Sequence, residues 1–142
     1  MKNLLILGCS ATKRANPEPL AAVERYDGPL YRVLRGWMAR TPDHGQRLAV
    51  AILSAQYGLI GAGMRIPLYG RHITFTRAME LRPAVRQDLY ELSPGPFASV
   101  YISMGAQYRA ILPDALPWPA QFASGGIGTR QRELKAWLGG LS

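Results

Sequence analysis

A chain of 142 residues with 48% hydrophobic content is long enough to bury one core of two or three layers and too short for a second domain. Its net charge of +8 is carried mostly by arginine, fourteen of the seventeen cations, with lysine only at Lys2, Lys13 and Lys135. The single cysteine excludes an internal disulfide and a cysteine-cluster metal site, and no apolar run reaches membrane-spanning length.

The arginine-rich balance favours an anionic partner such as a nucleotide or nucleic acid, because a guanidinium offers a planar fork to phosphate and stacks on bases. The alternative is a merely solvated surface. Ile6-Leu7-Gly8-Cys9 has the outline of a lipoprotein cleavage box. The apolar run before it spans only about four residues, however, against the roughly 7–15 of a signal peptide, so a cytoplasmic protein is expected.

In chain order, the first expected strand is Lys2 to Leu7, a continuous apolar run that stops at Gly8-Cys9-Ser10 and meets Lys13-Arg14. A loop with Pro17 and Pro19 follows, with a short helical piece at Leu20 to Glu24. Asp27 or Gly28 then caps a helix from Pro29 to Arg40 with Leu30, Val33, Leu34 and Trp37 on one face. A second apolar strand, Leu48 to Leu53, runs into Ser54-Ala55-Gln56-Tyr57-Gly58. From Leu59 to Ile73 the chain reads as a long, basic, Gly- and Pro-containing loop.

Thr74 or Thr76 opens a helix to about Leu92, with Ala78, Leu81, Val85, Leu89 and Leu92 as its stripe. Pro83 should kink or divide it, and Ser93-Pro94-Gly95-Pro96 should stop it. A third strand, Ser99 to Ile102, leads to Ser103-Met104-Gly105-Ala106 and a short helix with Tyr108. A brief strand near Gln121 to Ala123 then runs into Ser124-Gly125-Gly126-Ile127-Gly128 and a last helix, Thr129 to Leu138. Strands alternating with helices at these spacings predict a single three-layer α/β domain with a mainly parallel sheet of about four strands.

All four expected strands end in a small hydroxyl residue near Gly or Ala: Ser10, Ser54, Ser103 and Ser124. In open α/β sheets the ligand lies beyond the carboxyl ends of the strands, so these turns should converge on one crevice. The competing reading is that Ser and Gly simply make good turns and caps. Gly125-Gly126-x-Gly128 is neither a dinucleotide fingerprint nor a P-loop. Lys13 is either a phosphate clamp or proton shuttle, or a solvated loop lysine. Cys9 is either a nucleophile near a cation or a packing residue. Arg71 and His72 in the long loop are candidates to close on a ligand. Tyr26, Tyr57, Tyr69 and Tyr108 fall near strand ends, where they would stack on a base. Two histidines and no clustered acids argue against a metal site, and no cofactor is expected.

Taken together, Cys9-Ser10-x-x-Lys13, Tyr26-x-Gly28-x-x-Tyr31-Arg32, Ser54-Ala55-x-Tyr57-Gly58-Leu59, Ile66-Pro67-x-Tyr69, Ser103-x-Gly105-x-x-Tyr108 and Gly126-x-Gly128 resemble a small bacterial family of unknown function labelled YaaA-like or peroxide-stress-like. The opening motif also resembles, more distantly, the core domain of archaeosine synthase, which modifies a deazapurine base in tRNA. The resemblances imply a Rossmann-like or uracil-DNA-glycosylase-like fold. An acidic residue commonly follows the loop tyrosine in the family, where this chain has Gly70, and Asp27 would then take any acid or base role.

The expected function is a nucleotide- or nucleobase-binding enzyme performing N-glycosidic cleavage or base modification, with Cys9, Lys13 and Asp27 as reactive groups. Ser10, Tyr26, Gly28, Arg32, Ser54, Tyr57, Tyr69, Arg71, His72, Ser103, Gly105, Tyr108, Ser124, Gly125 and Gly126 would hold the ligand. The alternative is a non-catalytic DNA-binding or nucleotide-sensing stress-response protein.

Overall fold

The computed structural model describes residues 1–92 and 96–141. Its elements in chain order are β1 (Lys2–Gly8), β2 (Leu20–Ala21), α1 (Ala22–Arg25), α2 (Pro29–Arg40), α3 (His44–Arg47), β3 (Leu48–Ser54), β4 (Gly58–Gly61), β5 (Arg65–Ile66), α4 (Phe75–Leu92), β6 (Phe97–Ser103), α5 (Ala106–Arg109), β7 (Gln121–Phe122) and α6 (Ile127–Gly139). The main sheet has the order β4-β3-β1-β6-β7. β1 pairs in parallel with β3 and β6, and β6 with β7, whereas β4 lies antiparallel to β3.

β1 is central, and its apolar run follows from that position. Leu5 and Leu7 point to one face, where they meet Leu34 and Trp37 of α2 and Leu134 and Leu138 of α6. Leu4 and Ile6 point to the other and pack against Ala78, Leu81, Val85 and Leu89 of α4. A strand covered on both faces needs an apolar side chain at every position, so no alternation survives in its sequence. Of the stripe expected for α4, Ala78, Leu81, Val85 and Leu89 are buried and Leu92 is partly buried. Pro83 neither ends nor divides that helix. It sits on the solvent side, where water can take the carbonyl that a proline frees.

Several expectations need correction. The sheet is five-stranded and mixed, not a mainly parallel sheet of about four strands. The added strand, β4, occupies the start of the segment expected to be a loop from Leu59 to Ile73. The Ser54 hydroxyl accepts the N–H groups of Gln56 (3.2 Å) and Tyr57 (3.1 Å), and Gly58 has φ +74°, so the chain reverses at once into a hairpin. The expected helical piece at Leu20 to Glu24 is a two-residue strand, paired with β5, followed by the short α1. The last helix begins at Ile127, not Thr129. Of the expected stop at Ser93-Pro94-Gly95-Pro96, residues 93–95 lie outside the described residues. Among the described residues no helix is long and apolar enough to cross a membrane.

Candidate ligand cleft at the strand ends

β1 and β6 run side by side and end together, so Gly8-Cys9-Ser10 and Ser103-Met104-Gly105 meet above the sheet. Gly28 to Tyr31, at the start of α2, form one wall of a cleft there, and Tyr108, Ile127 and Arg130 form the other. The cleft encloses about 520 Å³, its open mouth included. Cys9, Ser10 and Tyr108 also line a second lobe of about 600 Å³, completed by Ala11, Lys13, Arg71, His72, Ile73 and Gln107.

The walls are fixed by specific bonds. Tyr31, buried under α2, donates its hydroxyl to the Gly8 carbonyl at 2.8 Å, tying the helix to the end of β1. Gly28 packs so closely on Ser10 that a Cβ there would lie 2.6 Å from the Ser10 oxygen, so a larger residue would displace that hydroxyl from its bond to Thr12. The Ser10 hydroxyl donates to the Thr12 carbonyl, shaping the turn that carries Lys13. Lys13 pairs with Tyr26 through an isolated antiparallel bridge, flanked by bonds from Asp27 N–H to the Thr12 carbonyl and from Arg14 N–H to the Arg25 carbonyl.

Cys9 sits where the lobes join. Its Sγ lies 2.9 Å from the Tyr108 hydroxyl and receives the Ala55 N–H at 3.4 Å. The Lys13 ammonium lies over the Tyr69 ring, 4.7 Å from its centroid, and 5.9 Å from that of Tyr26. Partial burial holds its pKa below the ordinary lysine value, with the nearby Cys9 acting in the opposite direction. Tyr26, Tyr69 and Ser54 form a triangle of hydroxyls: Ser54 is 3.1 Å from Tyr26 and 3.0 Å from Tyr69, and the two phenols contact each other. Three O–H protons serve three contacts, so the ring is closed and presents the phenol faces, rather than donors, toward Lys13. Tyr57 meets Tyr69 edge-on at 5.6 Å.

Burial raises the pKa of Tyr26 to about 12 and pushes those of Tyr31, Tyr69 and Tyr108 up as well. A phenol whose pKa rises on folding keeps its proton where the unfolded chain has lost it, so its contribution is intact below pH 10 and is lost as pH rises beyond. Each fully buried tyrosine should steepen that loss by about 1.4 kcal/mol per pH unit. Urea midpoints measured from pH 9 upward should therefore fall sharply above pH 10, with a shallower fall in Tyr26→Phe. A flat profile would contradict the buried ring.

The expected site residues do not all converge. Cys9, Ser10, Lys13, Gly28, Arg71, His72, Ser103, Gly105 and Tyr108 line one lobe or the other. Tyr26, Ser54, Tyr57 and Tyr69 stand behind Lys13. Asp27 is turned away: its carboxylate is bound by Arg32 at 3.3 Å and by Arg35, and these partners, Arg32 first, hold its pKa below the ordinary carboxylate value. Arg32, with 66% of its side chain exposed, follows Asp27 and lies outside both lobes.

Ser124 is engaged elsewhere, because its N–H and hydroxyl both donate to Glu133, which also accepts from Tyr101. Gly125, at φ +78°, and Gly126, the cap of α6, shape the turn without lining the cleft. Arg130 was not anticipated. Its position four residues after Gly126 was the available signal, since side chains on a first helical turn lean back toward the N-terminus. Among the described residues no group of three or more His, Cys, Asp and Glu is placed to hold a metal ion. Comparison of the chain with protein-family models, curated proteins and solved structures gave no match.

Proposed function

We propose that the protein binds a nucleotide or another nucleobase-containing small molecule in this cleft and acts on it, by cleaving the N-glycosidic bond or by modifying the base. The observation that carries the reading is the meeting of two lobes at the ends of β1 and β6, with the Cys9 thiol at their junction and the Lys13 ammonium in the second lobe over the ring of Tyr69. A three-layer, Rossmann-like or uracil-DNA-glycosylase-like architecture would place a ligand at that edge of the sheet, as would membership of the YaaA-like family. In N-glycosidic cleavage, water replaces the base at the sugar carbon and the departing base takes up a proton. An ammonium whose pKa is depressed by burial is a better acid than free lysine, so Lys13 is suited to supply it. Cys9 is the alternative reactive group. Asp27, committed to two arginines, is the least suited of the three.

A second reading, a non-catalytic protein that binds DNA or senses a nucleotide, is favoured by one observation. Arg32, Arg40 and Lys135 line a groove between α2 and α6, away from the cleft. A thermal-shift panel separates the readings, using nucleosides, mononucleotides and oligonucleotides at low and moderate salt. A rise in unfolding midpoint with one small nucleotide that survives salt supports the cleft. A rise with oligonucleotides alone, erased by salt, moves the assignment to the groove.

A further inference from the structure

Ser103 is the last residue of β6 and is only 1% exposed, and its Oγ has no hydrogen-bond partner among the described residues. By the alternation of the strand its side chain shares the face of Tyr101, the side covered by α2 and α6, and it forms part of the cleft there. A buried hydroxyl without a partner is uncommon in folded proteins and calls for an explanation.

The surroundings of Ser103 share one chemical character. The twelve-residue α2 and thirteen-residue α6 both begin at this lobe, with Pro29 and Ile127 in its lining, and neither has a side-chain cap. The first-turn N–H groups of Leu30 and Tyr31 in α2, and of Ile127 and Gly128 in α6, have no carbonyl within their own helices. Arg130 holds the Gly125 carbonyl through Nε at 3.1 Å, which leaves the outer edge of its guanidinium for another partner. The nearby carboxylates are already engaged, Glu133 by Ser124 and Tyr101, and Asp27 by Arg32 and Arg35. Two uncapped helix starts, a guanidinium and an unsatisfied hydroxyl converge without a free acid among them, which suits a dianion.

We propose that this lobe, floored by Ser103 and flanked by Arg130, takes the phosphate group of a nucleoside monophosphate, leaving the sugar and base to the lobe of Cys9, Lys13 and Tyr108. The inference rests on the nucleotide reading above and specifies which end of the ligand goes where. The substrate class is then the monophosphate rather than the free nucleoside or base.

Calorimetric titration with the common ribonucleosides, their 5′-monophosphates and inorganic phosphate tests it, using the wild type, Ser103→Ala and Arg130→Gln. For whichever base binds, the monophosphate should bind at least about tenfold more tightly than its nucleoside, and inorganic phosphate should compete with it. Ser103→Ala should leave the unfolding midpoint of the free protein unchanged, since the hydroxyl has no protein partner to lose, while reducing the monophosphate advantage several-fold. Arg130→Gln should reduce that advantage by about tenfold, with nucleoside affinity unchanged. Nucleosides that bind as tightly as their monophosphates would overturn the phosphate assignment and leave the nucleotide cleft standing, as would an advantage indifferent to both substitutions. Destabilisation of the free protein by Ser103→Ala would assign the hydroxyl a structural role and likewise overturn it. Failure of every nucleoside and nucleotide to bind the wild type would overturn both readings.

Discussion

Replacing Arg25 by methionine should lower the unfolding free energy by about 3 kcal/mol. Arg25 is 0% exposed, yet its guanidinium meets carbonyls rather than a carboxylate: Arg14 at 2.6 Å, Asn16 at 2.9 Å, Glu18 at 2.6 Å and Ile66 at 3.4 Å. Burying an unpaired cation is unfavourable by several kcal/mol, and the four oxygens offset that. Methionine removes both terms but strands carbonyls that were folded around a donor, and the second loss is the larger because each bond to a charged donor contributes about 1.5–3 kcal/mol. Lysine, with a single ammonium, cannot span the same oxygens, so Arg25→Lys should recover less than half of the loss. Urea denaturation of the three proteins measures this. Equal stability of all three would show that the loop from Arg14 to Glu18 needs no clasp. The effect also reaches the cleft, since the same loop carries Lys13.

Lys13→Met should have the opposite profile, with stability unchanged or slightly raised and ligand turnover reduced at least about a hundredfold. Partial burial makes the folded protein a less favourable place than water for this ammonium. The sign follows from that depression: the charge opposes folding below the lowered pKa, and the penalty disappears as pH rises toward 10.5. Removing the side chain relieves that penalty and gives up only the contact with the Tyr69 ring, whereas the proposed reaction would lose its proton donor. Any step that needs the ammonium should fade with rising pH earlier than an unperturbed lysine would allow, and Lys13→Arg should carry the charge through that range. Turnover and ligand affinity measured against pH for the three proteins check it. Full turnover by Lys13→Met would remove Lys13 from the chemistry.

The features legible in the sequence were those encoded by consecutive residues. The apolar run of β1, the start of α2 at Pro29, and Leu34 and Trp37 of α2 with the stripe of α4 each state their own place, and the small residues after β1 and β6 lie at the edge where the lobes open. Four features depend on residues that are not adjacent in the chain. The antiparallel β4 contains only Leu59 and Ile60 between two glycines, too little for a period, and it depends on a reversal made by the Ser54 hydroxyl. Asp27 reads as a free carboxylate next to Gly28, and only the folding back of α2 brings Arg32 and Arg35 onto it. Arg25 has the composition of a surface residue; its burial depends on Ile66, forty-one positions away. Ser124 reads like Ser10 and Ser103, yet Glu133, one α6 turn beyond Arg130, takes it out of the cleft.

The proposed ligand sits at the ends of β1 and β6. An amide-resolved nuclear magnetic resonance titration with the mononucleotide that gives the largest thermal shift tests it most directly. Saturable shifts should concentrate at Gly8, Cys9, Gly28, Leu30, Gly105, Tyr108 and Gly128, with little change along the outer face of α2 at Gly36 and Arg40. Shifts confined to Gly36, Arg40 and Lys135, or spread without saturation over the arginine surface, would contradict it.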